Sequence, residues 1–346
     1  ENEFDEHTTQ TIAHCKRFLN SSYKKSFSAE SCSEYFITKL SEFDVEIVDF
    51  KLTVKNIIRT PKQIREIIAK FKPTIIHIHQ ANSVAFFSNL ALGRGPKIPS
   101  VLTTWGSDIL LVPSQSFLLK KMVKYNLRKA NAITSDSVFM ADEIKRIQPL
   151  STPVLIANFG IGFTPPKHVV KEKIIYSNRL HKPLYRIDAI IEAYKKMKQH
   201  PSLQDWKLVI AAVGEETDNL KKIVQTAQID GIEFVGWVDA ETNAYWYAKS
   251  SFWVSIPTSD ATSISLLEAM ACGCIPIVSD LPANREWIKD AKNGSIVNDV
   301  TGDFLTAAMQ QDFKNAAEIN TQLIEEHGTK AANKAKFIAL YDKLLN

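Results

Sequence analysis

The sequence predicts an α/β chain of two doubly wound domains in series, and three observations carry that prediction. First, 346 residues exceed what one hydrophobic core usually organises. Second, short runs rich in β-branched and aromatic residues alternate with amphipathic helical patterns along the chain. That alternation is the mark of parallel sheets covered by helices on both faces. Third, the alternation breaks once, at 149–166, where four prolines surround a strand-like run and Phe159-Gly160-Ile161-Gly162, and then starts again.

In the first half, strands are expected at 11–18, 45–50, 74–79, 100–105 and 132–135, with another short run at 154–157. Helices are expected at 31–43, at 61–71 with proline in the first turn, and at 83–92, 114–129 and 139–147. In the second half, strands are expected at 173–176, 207–213, 233–235, 252–256, 275–279 and 295–297. Helices at 187–198, 217–228, 240–249 and 263–272 lie between them, and three helical segments close the chain, the last over 329–345. Open sheets of this kind take ligands at the carboxyl ends of their strands, and two of them facing each other enclose a central cleft.

Composition narrows the function classes. Hydrophobic residues make up 45% and charged residues 23%, ordinary globular values that exclude disordered and fibrous classes. A net charge of +4 permits an anionic partner without demanding one, and no nucleic-acid motif is present. Four cysteines, Cys15, Cys32, Cys272 and Cys274, are too few for a disulfide scaffold and lack zinc or redox spacing, so reduced thiols are expected. No run has the length of a membrane span and none reads as a signal peptide. A cytoplasmic protein is therefore expected, with any membrane contact peripheral and at the inner face.

The densest chemistry lies where the run 252–256 passes through Pro257-Thr258-Ser259-Asp260-Ala261-Thr262-Ser263 into the next helix. Ser263 has the chemistry of an N-cap, and the free N–H groups around Ile264 and Ser265 attract anions, phosphate above all. Asp260 and Glu268 flank this start. Carboxylates suit hydroxyls, each accepting more than one hydrogen bond. A ligand with a sugar at each end of a diphosphate matches the arrangement; two acids that merely favour the helix macrodipole match it too.

The run Ser259-Asp260-Ala261-Thr262-Ser263-Ile264-Ser265-Leu266-Leu267-Glu268-Ala269-Met270-Ala271-Cys272-Gly273-Cys274-Ile275-Pro276 resembles the signature of the family-4 retaining glycosyltransferases of the GT-B fold. That signature has an acid, seven residues, a glutamate, then Ala-Met-Ala and a Gly-x-Pro tail. Here Asp260 stands where the family usually has glutamate, and Ser263 where it has glycine. The resemblance implies two Rossmann-like domains facing a central cleft. The first, 1–157, is acceptor-side; the second, 158–328, binds the nucleotide sugar. The final helix, about 329–346, packs back on the first domain. It further implies that Glu268 holds the ribose and Asp260 the hydroxyls of the transferred sugar. The diphosphate goes to the helix start at Ser263, Ile264, Ser265 and Leu267. No bound metal and no other cofactor is implied.

Arg179 ends the first strand of the second domain, and a cation there neutralises charge on a leaving diphosphate. The family has a lysine five residues further on; this chain has Leu184, with Lys182 and Arg186 as neighbouring cations. These two are donor-site candidates or solvated surface charges. Trp237 and Val238, after the run 233–235, are candidates for the nucleotide base or for core. In the first domain, Trp105-Gly106-Ser107-Asp108 stands where the family often has His-Gly-Ser-Asp. Gly106 allows close backbone approach, and Asp108 either caps a turn or touches substrate. His77 and His79 share one strand face, with His79 near the cleft mouth. Lys24 and Ser26 occupy the loop where the family carries a Gly-Gly pair. The segment 114–129 holds Lys120, Lys121, Lys124, Arg128 and Lys129 beside Phe117, Leu118 and Leu119. It is a basic amphipathic helix suited to an anionic membrane, or a surface helix with solvated lysines.

The expected activity is transfer of a sugar from a nucleoside diphosphate sugar to a glycan or lipid-linked acceptor, with retention of configuration, in bacterial surface polysaccharide or glycolipid assembly. Two other functions suit the same architecture: a nucleotide-sugar 2-epimerase, and a nucleotide-sugar-binding protein without turnover.

Overall fold

The structure, a computed structural model, describes residues 57–95, 97–166 and 169–346. The expected strands 11–18 and 45–50, the helix 31–43, the loop with Lys24 and Ser26, and Cys15 and Cys32 lie outside the described residues. The chain divides into two compact units: residues up to Ala157 together with Ala335–Asn346, and Asn158–Lys334.

The described part of the first unit holds a parallel sheet in the order β1 (Ile76–His79), β2 (Ser100–Thr103), β3 (Ala132–Ser135) and β4 (Val154–Ile156). Helices α1 (Arg59–Phe71), α2 (Ser83–Leu92), α3 (Phe117–Lys129) and α4 (Val138–Ile147) connect and cover these strands. Part of its core gathers Ile75, Val101, Ala132 and Ala157 with Phe337 and Tyr341 of the C-terminal helix α12 (Lys330–Leu345).

The second unit is a six-stranded parallel sheet. Its strands are β5 (Glu172–Ser177), β6 (Lys207–Ala211), β7 (Ile232–Gly236), β8 (Ser250–Ser255), β9 (Ile275–Ser279) and β10 (Ser295–Val297), in the order β10-β9-β8-β5-β6-β7. This is the doubly wound order 3-2-1-4-5-6 with its switch point between β5 and β8. Strand alternation divides the core in two. Ile175, Leu208, Ile210, Phe252 and Val254 face α5 (Ile187–Met197) and α10 (Phe304–Met309). Their neighbours Ile174, Tyr176, Val209 and Trp253 face α7 (Ala240–Lys249) and α8 (Ile264–Ala271). Helices α6 (Thr217–Thr226), α9 (Pro282–Trp287) and α11 (Ala316–Leu323) complete the unit.

Several expected boundaries move for identifiable reasons. The helix expected at 114–129 is two pieces: a short turn Val112–Gln115, then α3 from Phe117. Ser116 breaks it by adopting an extended conformation, and its hydroxyl accepts from the Leu119 N–H as an N-cap. The strand expected to reach residue 213 ends at Ala211, because Ala212 turns to a φ of 70°. The strand expected to reach Trp105 ends at Thr103, ahead of a turn at Gly106 with φ 94°. Sequence reading missed α9, whose six residues are too few to show a helical period.

Candidate functional site

β5 and β8 diverge in the directions of their connections at the switch point, and the residues following both strands come together there. Arg179 lies just past β5. Its Nη2 is 2.7 Å from Asp260 Oδ2, its Nη1 donates to the Ser263 hydroxyl, and its guanidinium lies 4.4 Å from the centre of the Tyr185 ring. Arg179 and Asp260 thus meet in a largely buried ion pair, a contact that the sequence reading did not foresee. Burial pushes the Asp260 carboxyl up, and the Arg179 guanidinium opposes that shift; at 2.7 Å from a guanidinium we treat it as a carboxylate.

The segment after β8 is held from outside. Arg186, with φ 52°, donates from Nε to the Ile256 carbonyl at 2.5 Å and from Nη2 to that of Pro257 at 2.8 Å. The Thr258 N–H bonds the Leu184 carbonyl at 2.9 Å, and the Ser279 hydroxyl donates to Pro257 at 2.9 Å. Arg186, expected as a donor-site cation, therefore braces the approach to α8. Lys182 is exposed at the start of the same turn.

Ser263 occupies the N-cap position of α8, but its side chain makes no capping bond. The capping role expected for its hydroxyl is corrected: that oxygen is engaged by Arg179. The N–H groups of Leu266 and Leu267 bond the Ser263 carbonyl. Those of Ile264 and Ser265 precede the first intrahelical bond, the position from which helices attract anions. Leu267 is corrected as a donor contact, since its side chain is fully buried in the core.

Glu268, in the second turn of α8, is half-buried, and Tyr247 donates to its Oε2 at 3.1 Å. Burial pushes its carboxyl up to about 6, against the opposing effect of the Tyr247 hydrogen bond. Asn178, next to Arg179, donates to the Tyr247 oxygen at 2.7 Å and accepts from Trp253 Nε1 at 2.9 Å. Sequence reading missed Tyr247 and Asn178, because a tyrosine on a buried helical face reads as packing and no spacing marks it. The Cys274 thiol is buried and donates to the Tyr247 carbonyl at 2.9 Å, a packing role.

The remaining candidates do not join this cluster. Trp237 follows the edge strand β7, with β6 between it and β5, and is 53% exposed. Val238 packs against the second-unit core.

In the first unit, Asp108, expected either to cap a turn or to touch substrate, is a buried brace of its turn. Its two oxygens accept from the N–H groups of Ala81 at 2.7 Å and Trp105 at 2.9 Å. Desolvation raises its pKa, opposed by those backbone donors. Trp105 Nε1 donates to Nδ1 of buried His79 at 3.1 Å, and its ring stays 39% exposed. His77 stacks on His79 with ring centres 4.5 Å apart and bonds Tyr341 and Thr103. Among the described residues, no group of three or more His, Cys, Asp or Glu side chains is arranged to hold a metal ion.

Comparison with known proteins gives the family and the fold. The family described as glycosyl transferases group 1 matches residues 163–327, and the family described as glycosyl transferase 4-like matches residues 29–137. The chain belongs to the GT-B glycosyltransferases of family 4. Among individual proteins, it is 28% identical over 123 residues to the alpha-monoglucosyldiacylglycerol synthase of Streptococcus pneumoniae, covering 34% of this chain and 28% of that protein. It is 23% identical over 264 residues to the phosphatidyl-myo-inositol mannosyltransferase of Mycolicibacterium smegmatis, covering 72% of this chain and 64% of that protein. Both matches thus span less than two thirds of the relative's own length. The crystal structure of Anabaena HepE in complex with UDP superposes with a TM-score of 0.74 at 11% identity, over 96% of this chain and 95% of that one, a likeness of fold.

Proposed function

We propose that the protein transfers a sugar from a nucleoside diphosphate sugar to the hydroxyl of a glycan or lipid-linked acceptor, retaining the anomeric configuration. One observation carries this reading: Arg179, the N-terminal turn of α8, Asp260 and Glu268 gather at the switch point of the second sheet. Glu268 accepts from the ribose hydroxyls and Asp260 from the transferred sugar. The diphosphate lies against the amides of Ile264 and Ser265, within reach of Arg179. The bond between the anomeric carbon and the phosphate oxygen breaks as the acceptor oxygen bonds that carbon. The acceptor proton passes to the leaving phosphate on the same face, which gives retention. Arg179 and the positive end of α8 meet the charge that develops on the phosphate, so the reading requires no metal.

A membrane-side acceptor is supported by α3. Phe117 and Leu118 at its first turn are 70% and 76% exposed, and Lys120, Lys121, Lys124, Arg128 and Lys129 follow them. Between Asp108 and Asp136 the chain has no acidic residue. With its exposed apolar start and basic length, this surface suits contact with an anionic leaflet from one side, at the inner face; among the described residues no helix is long and apolar enough to cross a membrane.

The test is thermal shift with UDP, GDP, CMP and their sugars, followed by product analysis with glycan and glycolipid acceptors. A selective shift, acceptor-dependent release of nucleotide and retained configuration by NMR are expected. Formation of an epimer from donor alone, or binding without turnover across the acceptor panel, would overturn transfer.

A further inference from the structure

Beneath the proposed donor site runs a buried chain of polar side chains that none of the proposed ligand contacts requires. Tyr247 on α7 is fully buried. Its hydroxyl faces Ser265 and Glu268 on α8 and receives the Asn178 amide from the end of β5. Asn178 spends its whole side chain inward. Its Nδ2 also donates to Asn243 Oδ1 at 3.1 Å, its Oδ1 takes Trp253 Nε1, and Asn243 in turn accepts from the Tyr176 hydroxyl at 2.7 Å. Four elements, β5, β8, α7 and α8, are thereby joined around one phenolic oxygen. The residues on the ligand side of that oxygen are the ribose carboxylate and the helix start. The residue following Asn178 is the diphosphate cation, Arg179.

We infer that Tyr247, oriented by Asn178, is a positioning residue for nucleotide binding, aiming the Glu268 carboxylate at the ribose and fixing it relative to Arg179 and the first turn of α8. The inference rests on the reading of Glu268 as the ribose acceptor. A phenol O–H donated to a carboxylate favours its charged form, and the ionised group offers both oxygens as acceptors, whereas protonation turns one of them into a donor. Burial raises Glu268 and the Tyr247 bond opposes that rise, the two together placing it at about 6, so the bond favours the ionised acid at neutral pH. A tyrosine that served only to pack α7 would have no such influence.

Affinity for UDP and GDP is measured by calorimetry from pH 5 to 8 in the unaltered protein, Tyr247→Phe, Glu268→Gln, Glu268→Ala and the Tyr247→Phe/Glu268→Gln double variant, with donor KM and kcat at each pH. In the unaltered protein, affinity should fall as pH drops through about 6. Tyr247→Phe keeps the ring and its packing. It should weaken nucleotide affinity about tenfold at pH 7, raise donor KM more than it lowers kcat, and move the acid limb to higher pH. In the Glu268→Gln background the same substitution should change affinity little, and the limb should be absent. A flat profile in the unaltered protein, an unmoved limb in Tyr247→Phe, or the full tenfold loss in the double variant would each overturn the positioning role. Unchanged affinity in Glu268→Ala would instead sink the donor-site reading itself, so the two failures are distinguishable.

Discussion

Glu268 is held where the proposed nucleotide binding and folding make opposite demands. Its carboxyl sits at about 6 in the folded chain, against an ordinary value of 4.5. The folded state therefore binds the proton more tightly, and stability falls as pH rises from about 4.5 to about 6. Ionisation there costs about 2 kcal/mol at most. Glu268→Gln is accordingly expected to raise the melting temperature at pH 7 and to flatten its dependence between pH 4 and 7, while nucleotide affinity drops. A melting curve unchanged in both height and pH slope would contradict the burial argument. Arg179 faces a related choice. Truncation to alanine leaves Asp260 partly buried without its cation, which should cost about 1–3 kcal/mol in denaturant melts and lower kcat about a hundredfold or more. Arg179→Lys keeps charge but cannot reach Ser263 and Asp260 with separate nitrogens, so it should restore stability more than turnover.

At the scale of elements, the turn after β2 shows how a residue that resembles a ligand contact can belong to the scaffold. Asp108 satisfies two buried backbone donors, one from Ala81 beyond β1 and one from Trp105. Asp108→Ala would strand both, costing about 2–4 kcal/mol by chemical denaturation. Asp108→Asn retains one acceptor oxygen and should cost less. α3 makes the converse case. Val123, Asn126 and Leu127 anchor it, while Phe117 and Leu118 face outward. Phe117→Asp with Leu118→Asp is expected to leave the melting temperature within about 1–2 °C, since surface substitutions act weakly. The same change should abolish sedimentation with phosphatidylglycerol vesicles. Retained sedimentation would remove this helix from any membrane role. The period of α3 and its basic content were legible in the sequence, but its start was not. Ser116 caps it through a backbone conformation that a hydrophobic period does not record.

For the molecule as a whole, the alternation of strands and helices announced the second sheet strand by strand, because its central strands are buried on both faces and the longer helices between strands pack apolar faces on them. The strand order, which puts β5 beside β8, came only from the fold, as did the meeting of Arg179 with Asp260 from segments 81 residues apart. Short motifs marked Asp260, Glu268 and Arg179, whereas Tyr247 and Asn178 carry no motif and became visible only through contacts, and Arg186, noted in the sequence as a cation, showed its bracing role only there. The two units also have unequal claims on the chain. It leaves the first at Ala157 and rejoins it at Ala335, partway along α12. Anyone exchanging the second unit for that of another glycosyltransferase must therefore make an insertion with two seams rather than a simple fusion, and the downstream seam falls inside a helix whose turns must stay in phase.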